Sequence, residues 1–284
     1  MKIEIAKYSG YCFGVKRALK LAEEALVRHG GDGDRVSTLG SIIHNPGVEK
    51  ELSIKGLISV DDIRDVEDGS VFIVRSHGMT PALLDALRKR KINIIDATCP
   101  FVKKAQVEAL KLAEGGFFVA VIGNKEHPEV CGIREQVNCD KVVVIENEED
   151  LCLLNNEKKI GVVVQTTQTI GKVIELTGKL LVSSREVYII NTICDTTKKR
   201  QDTVRNLSKR ADLMLVVGGK NSANTTHLAD ISKENNLRTY HIENSTNIKP
   251  AWLEGAEIIG ICGGASTPEK DILEIKKKIE DMKT

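Results

Sequence analysis

Three cysteines recur in one local context. Cys12 lies in SGYCFGVKRA, Cys99 in DATCPFVKKA and Cys194 in NTICDTTKKR. Each follows a short apolar run and a polar turn, and each opens a helical pattern. A thiol at a helix N-terminus meets the positive end of the dipole, which favours the metal-binding thiolate. The three lie about 90 residues apart. No CxxC pair occurs anywhere in the chain, so a metal shared by these sulfurs must be gathered by the fold rather than by a local motif. A closed structural zinc site takes four protein ligands, whereas three leave a position open for chemistry. Soft sulfur ligands select zinc or an iron–sulfur cluster. Basic residues occupy the fourth and fifth positions after each cysteine: Lys16 and Arg17, Lys103 and Lys104, Lys198 and Lys199. Cations in a first helical turn oppose the dipole. They read either as a demand for positive potential or as a plain solvated face. Of the other cysteines, Cys262 lies in an apolar run and reads as core. Cys139 and Cys152 fall outside the repeat, and Cys131 is a minor candidate for a pocket wall near Glu129.

A second group consists of donors. His44, His77, His127, Thr166, Ser222, Asn224 and Ser266 all fall in loops that follow apolar runs. Each can donate a hydrogen bond, and helix N-termini add backbone N–H groups. Gly218-Gly219 and Gly263-Gly264 allow close backbone approach. Together they read as an anion pocket suited to phosphate. Neither a Walker A sequence nor a dinucleotide GxGxxG is present, so neither ATP nor NAD is signalled. Glu129, in His127-Pro128-Glu129, is a carboxyl group among donors. In a dry pocket it would hold its proton to near neutral pH and deliver it there. The plainer reading is a first-turn glutamate favoured by the helix dipole.

The elements that must position these residues follow a repeat. Each cysteine segment is followed by two further strand–loop–helix segments. The second set is VSTLGSIIHNPGVEKEL, FFVAVIGNKEHPEVCGI and LMLVVGGKNSANTTHLADI. The third is VFIVRSHGMTPALLDAL, IGVVVQTTQTIGKVIEL and IIGICGGASTPEKDILEI. Short strands with polar turns, LISVDDI, VVVIENEEDL and TYHIENSTNI, lie between them. The helix after Cys12 has an apolar face of Val15, Ala18, Leu19, Ala22 and Leu26. The helix after Cys99 has Val102, Ala105, Ala109 and Leu112, and the third shows only Val204, Leu207 and Ala211. Strands alternating with helices predict an α/β fold of small parallel sheets, with binding loops at the carboxyl ends of strands. Three units are expected, residues 1–97, 98–190 and 191–284. They could pack about a pseudo-threefold axis with the cysteines at its centre. The alternative is a tandem array of independent modules, each burying its own cysteine. Only His29 to Asp34, HGGDGD, reads as a loose loop.

Composition narrows the classes. The 284 residues carry 41 basic and 40 acidic side chains, and aromatics make up 4%. That balance argues against nucleic-acid partners, which need basic patches and stacking platforms. No apolar run is long enough for a membrane span. MKIEIAKYSG lacks the apolar core of a signal peptide, so a cytoplasmic protein with reduced thiols is expected.

With these motifs assembled, the chain resembles the 4-hydroxy-3-methylbut-2-enyl diphosphate reductase family, of the LytB type. The stretches that carry the resemblance are GYCFGVKRA, LGSIIHNP, RSHG, DATCPFV, GNKEHPEV, QTT, NTICDTTKKRQ, GGKNSANT and GGASTPE. It runs from about residue 3 to about residue 280. The resemblance implies three α/β domains in a trefoil around a 4Fe–4S cluster held by Cys12, Cys99 and Cys194. The unliganded iron would take the substrate's allylic hydroxyl. It implies that His44, His77, His127, Ser222, Asn224 and Ser266 hold the diphosphate. Glu129 falls on the proton donor and Thr166 on a hydroxyl that orients substrate and proton relay, with His127 beside them. Ala223 departs from the family, where a serine often stands, so its side-chain contact is in doubt while its backbone N–H could still serve. The reaction implied is reductive dehydroxylation to isopentenyl and dimethylallyl diphosphate. Since no flavin or nicotinamide motif is present, an external donor such as a ferredoxin or flavodoxin is implied. Two other classes are weighed against it: a zinc hydrolase of a phosphorylated small molecule using the same thiolates, and a non-catalytic small-molecule binder.

Overall fold

The computed structural model describes residues 1–30, 35–154 and 156–282. Of the loop expected at His29 to Asp34, residues 31–34 lie outside that set. In chain order the elements begin with β1 (Lys2–Ile5), α1 (Phe13–His29), β2 (Val36–Leu39), α2 (Pro46–Ile54), β3 (Leu57–Val60), β4 (Val71–Val74), α3 (Pro81–Arg88) and β5 (Asn93–Asp96). There follow α4 (Pro100–Glu114), β6 (Phe118–Ile122), α5 (Pro128–Arg134), β7 (Val142–Ile145), β8 (Lys159–Val164), α6 (Ile170–Ser183) and β9 (Glu186–Ile189). The last are α7 (Asp195–Ser208), β10 (Leu213–Val217), α8 (Ala223–Lys233), β11 (Thr239–Ile242), β12 (Ile258–Gly263) and α9 (Glu269–Asp281).

These strands form three four-stranded sheets of one topology: β3-β2-β4-β5, β7-β6-β8-β9 and β11-β10-β12-β1. Every pairing is parallel. The expected α/β fold with small parallel sheets is therefore present. One placement differs from the sequence reading, which put Lys2–Ile5 at the head of residues 1–97. That strand pairs with β12, Lys2 opposite Ile258 and Ile5 opposite Ile261. In the other two sheets the outer edge of the third strand is covered by the strand that follows α3 or α6. After α9 no strand follows among the described residues, and an exposed row of N–H and C=O groups favours a partner. β1 takes that position.

By compactness the chain divides in two. One unit comprises Met1–Lys16, His44–Val48 and Asp195–Thr284, and holds the sheet that contains β1. The other comprises Arg17–Ile43 and Glu49–Cys194, and holds the remaining two sheets.

Five of the six inner strands, β4, β6, β8, β10 and β12, are apolar and largely buried, as helix-covered parallel strands tend to be, while the sixth, β2, buries Ser37 and Thr38. α4 buries Val102, Ala105, Ala109 and Leu112, the stripe read from its sequence. Leu112 lies so close over β8 that a Cβ on Gly161 would come within 2.9 Å of it. α7 approaches β12 in the same way, its Leu207 lying 3.0 Å from a Cβ built on Gly260. Its weak stripe has a physical reason: beside Val204 and Leu207 it buries Thr197, Arg200, Gln201 and Ser208. Each cysteine thus sits between the outer strand of one sheet and the start of a helix.

Candidate functional site

In the larger unit the flagged residues form one connected set. Glu129 lies in the first turn of α5 and is 1% exposed. Thr166, just past β8, grips its carboxyl twice. The Thr166 N–H donates to Oε1 at 2.6 Å, and its hydroxyl donates to Oε2 at 2.9 Å. Burial pushes the carboxyl up to about 7, against the downward pull of those two bonds. Glu129 is thus both a first-turn glutamate of α5 and a buried, desolvated carboxyl group.

His127 caps α5, its Nδ1 accepting the Glu129 N–H at 3.2 Å. That bond leaves the ring proton to Nε2 in the neutral form. The His77 ring, in the loop after β4, meets the His127 ring edge-to-face with centroids 5.5 Å apart. Backbone bonds join this set to two cysteines. Cys99 N–H donates to Ser76 O, and Cys194 N–H to Thr166 O, both at 3.0 Å. Cys131 lies on α5 two residues beyond Glu129, partly exposed, with its thiol 3.5 Å from Lys125 O.

In the smaller unit the loops after β10 and β12 meet the segment from His44 to Val48. Ser266 Oγ donates to His44 O at 2.9 Å, and Asn45 Nδ2 donates to Ser266 O at 3.0 Å. Asn45 Oδ1 also accepts the Val48 N–H at 3.0 Å, in the first turn of α2. Ser222 caps α8, its hydroxyl accepting the Thr225 N–H at 3.4 Å. Ala223 and Asn224 follow in the first turn. Asn224 Nδ2 and Thr225 Oγ1 are buried and have no hydrogen-bond partner among the described residues. A buried donor left unpaired is costly, so such an atom marks a place where an acceptor would be welcome. The close backbone approach expected at the glycines is present, but its neighbour is protein. A Cβ on Gly264 would fall 2.1 Å from Thr225 Oγ1, and one on Gly218, at φ +143°, 2.6 Å from Thr267 Oγ1.

Cys12 repeats the pattern of the other two cysteines. Its N–H donates to Ala265 O at 3.1 Å. Ala265, Ser76 and Thr166 hold equivalent places, each just past the third strand of its sheet. The Cys12 sulfur also accepts the Val15 N–H at 3.4 Å in the first turn of α1. None of the three is in a disulfide, and all are partly exposed. Cys262 is buried in the core, which pushes its thiol up to about 12, while Cys139 and Cys152 are exposed outside these loops. Asn45 and Thr225 escaped the sequence reading. Asn before Pro46 is a helix-cap signal that would have found the first. Thr225 reads as one more polar residue in a helix.

Comparison with known proteins gives concordant matches. The profile of the LytB protein family matches residues 3–280. A 4-hydroxy-3-methylbut-2-enyl diphosphate reductase of Syntrophotalea carbinolica is 44% identical over 99% of both chains. The enzyme of that name from Aquifex aeolicus is 42% identical over 99% of this chain and 96% of its own. A solved structure of an (E)-4-hydroxy-3-methyl-but-2-enyl diphosphate reductase, described as the terminal enzyme of the non-mevalonate pathway, is 42% identical. It covers 98% of this chain and 99% of its own, with a TM-score of 0.73. The reductase structure from Plasmodium falciparum is 29% identical and covers 97% of this chain and 86% of its own, with a TM-score of 0.90.

Proposed function

Since this chain belongs to the LytB family, we propose that it is a 4-hydroxy-3-methylbut-2-enyl diphosphate reductase. The observation that carries the chemistry is Glu129, a fully buried acid that keeps its proton to about pH 7 and is oriented through both oxygens by Thr166. We assign a 4Fe–4S cluster to Cys12, Cys99 and Cys194. The donor set fits: three partly exposed cysteines outside any disulfide at equivalent helix starts, with no fourth cysteine in an equivalent loop among the described residues. When bound, such a cluster supplies electrons one at a time and an open iron for the substrate's hydroxyl.

The chain's own residues do the rest. Glu129 gives a proton to the departing oxygen, which leaves as water. Thr166 holds the carboxyl in place and relays toward it, and His127 is anchored beside it. Ser222, Asn224, Ser266 and the Ala223 N–H bind the diphosphate, with His44, His77 and His127 in the same role. Asn224 Nδ2 is supplied with its missing acceptor in this way. Holding the diphosphate fixes the reacting carbon and lowers the barrier by positioning. Two electrons from outside the chain replace the C–O bonding pair, and a second proton added at either end of the allylic system completes isopentenyl or dimethylallyl diphosphate. A ferredoxin or flavodoxin delivers the electrons, and cysteines held outside disulfides suit the reducing cytoplasm.

Iron, sulfide and zinc analysis of oxygen-free protein tests the reading, together with the visible spectrum before and after substrate. Iron and sulfide in equal amounts, a spectrum that changes with substrate, and loss of iron in Cys12→Ser, Cys99→Ser and Cys194→Ser are expected. A colourless zinc protein would overturn it in favour of a hydrolase.

A further inference from the structure

The cations that follow the cysteines do different things. Lys16, Lys103, Lys104, Lys198 and Lys199 are exposed, and Lys103 pairs with the Asp96 carboxylate at 2.5 Å. For these the solvated-face reading holds. Arg17 is half-buried. Its Nη1 donates to Thr98 O and its Nη2 to Asp96 O, both at 3.2 Å. Those carbonyls belong to the loop that leads from β5 into Cys99.

Arg200, on α7, is 2% exposed. Its Nη1 donates to Gly263 O at 2.5 Å and its Nη2 to Gly10 O at 2.8 Å. Gly10, at φ +98°, stands two residues before Cys12, in a conformation that glycine adopts without strain. Gly263 ends β12, and Ala265, which accepts the Cys12 N–H, follows two residues later. Ser9 Oγ accepts the Gly263 N–H at 3.2 Å in the same seam. Arg200, Ser9 and the Cys12 amide therefore tie the turn before Cys12 to the loop after β12. Burying a guanidinium is costly unless its donors are used. Its planar fork suits two carbonyls at once, which a lysine ammonium cannot match.

We propose that Arg17 and Arg200 are positioning residues for the thiolate ligands. Each is carried by the helix after one cysteine and fixes the loop that bears another. Arg17, after Cys12, holds the approach to Cys99, and Arg200, after Cys194, holds the approach to Cys12. The inference rests on reading these cysteines as cluster ligands.

The test uses the full chain freed of metal. Iodoacetamide alkylation is followed at each cysteine by peptide mass spectrometry in wild type, Arg17→Gln, Arg200→Gln and Arg200→Lys. Losing charge-assisted bonds to a loop should raise the alkylation rate of the thiol it carries about tenfold. Arg17→Gln should do so at Cys99 only, and Arg200→Gln at Cys12 only. Arg200→Lys should show a smaller rise at Cys12. A merely structural role would move all three cysteines together. A uniform rise, or none, overturns the proposal. Should Arg200→Gln fail to fold, Arg17→Gln and Arg200→Lys decide it. Iron content of reconstituted wild type is read separately. A chain that takes up no iron defeats the cluster assignment, while the alkylation pattern still decides whether the arginines hold the cysteine loops.

Discussion

Thr166→Val isolates the environment of Glu129. The substitution keeps the shape of the side chain and removes the hydroxyl that donates to Oε2 at 2.9 Å, while the Thr166 N–H to Oε1 survives. A hydrogen bond to a charged group is worth about 1.5–3 kcal/mol. At 1.36 kcal/mol per pH unit, its loss should move the titration of Glu129 upward by about one to two pH units. The starting point is about 7, with burial as the largest cause and the Thr166 bonds opposing it. The added methyl deepens the desolvation, so both changes push in one direction. Glutamate-selective 13C-carboxyl NMR, with Glu129→Gln to assign the signal, reads the midpoint directly. With the protonated acid as the working form proposed for Glu129, the alkaline limb of the turnover profile should move upward with it. A midpoint that stays put or falls would refute the account, because Thr166 supplies both of the bonds that stabilise the charged form.

Glu129 also links stability to pH. Its folded value lies above the ordinary 4.5, so the folded state holds a proton that the unfolded chain releases. That contribution is complete below 4.5 and is lost as pH rises through about 7. Urea unfolding of metal-free protein should show a loss of about 2 kcal/mol between pH 5.5 and 8.5 that Glu129→Gln lacks, and parallel profiles would count against it. Ala223→Ser restores a hydroxyl in the first turn of α8 and should tighten inorganic diphosphate by about threefold to tenfold in calorimetry. Gly218→Ala forces a Cβ to 2.6 Å from Thr267 Oγ1 at φ +143°. It should destabilise the fold by about 1–3 kcal/mol, read as a lower urea midpoint.

What the sequence disclosed was mostly local. The stripe of α4, the cysteines at helix starts and the donors at strand ends are each written within about ten residues, where periodicity and cap chemistry act. The partner of β1 is not local information. Lys2–Ile5 reads as a strand in any sheet, and only its pairing with Ile258–Ile261, at the far end of the chain, shows which one. α7 was legible only as a weak stripe for another reason: its buried face carries Arg200 and Gln201, which a hydrophobic pattern counts as solvent-facing. Glu129 was visible as a carboxyl group among donors, yet its burial depends on β8 and Thr166, which are distant in sequence.

Thr166 shows how the Glu129 carboxyl and the Cys194 turn are built together. Its N–H and its hydroxyl are both spent on Glu129, and its carbonyl accepts the N–H of Cys194. Every polar group of one residue is committed, and the residue is 6% exposed. A shift of the loop after β8 would therefore loosen the carboxyl and the cysteine turn at once. At the same position of the other sheets, Ser76 and Ala265 accept from Cys99 and Cys12 but hold no carboxylate among the described residues. Three equivalent loops support the cysteines, and among the described residues only the one at Thr166 also holds a carboxyl group through its N–H and its hydroxyl. Burial raises that carboxyl and the two Thr166 bonds restrain the rise. The repeat supplies the scaffold, and the departure from the repeat at Thr166 fixes how the Glu129 carboxyl is held.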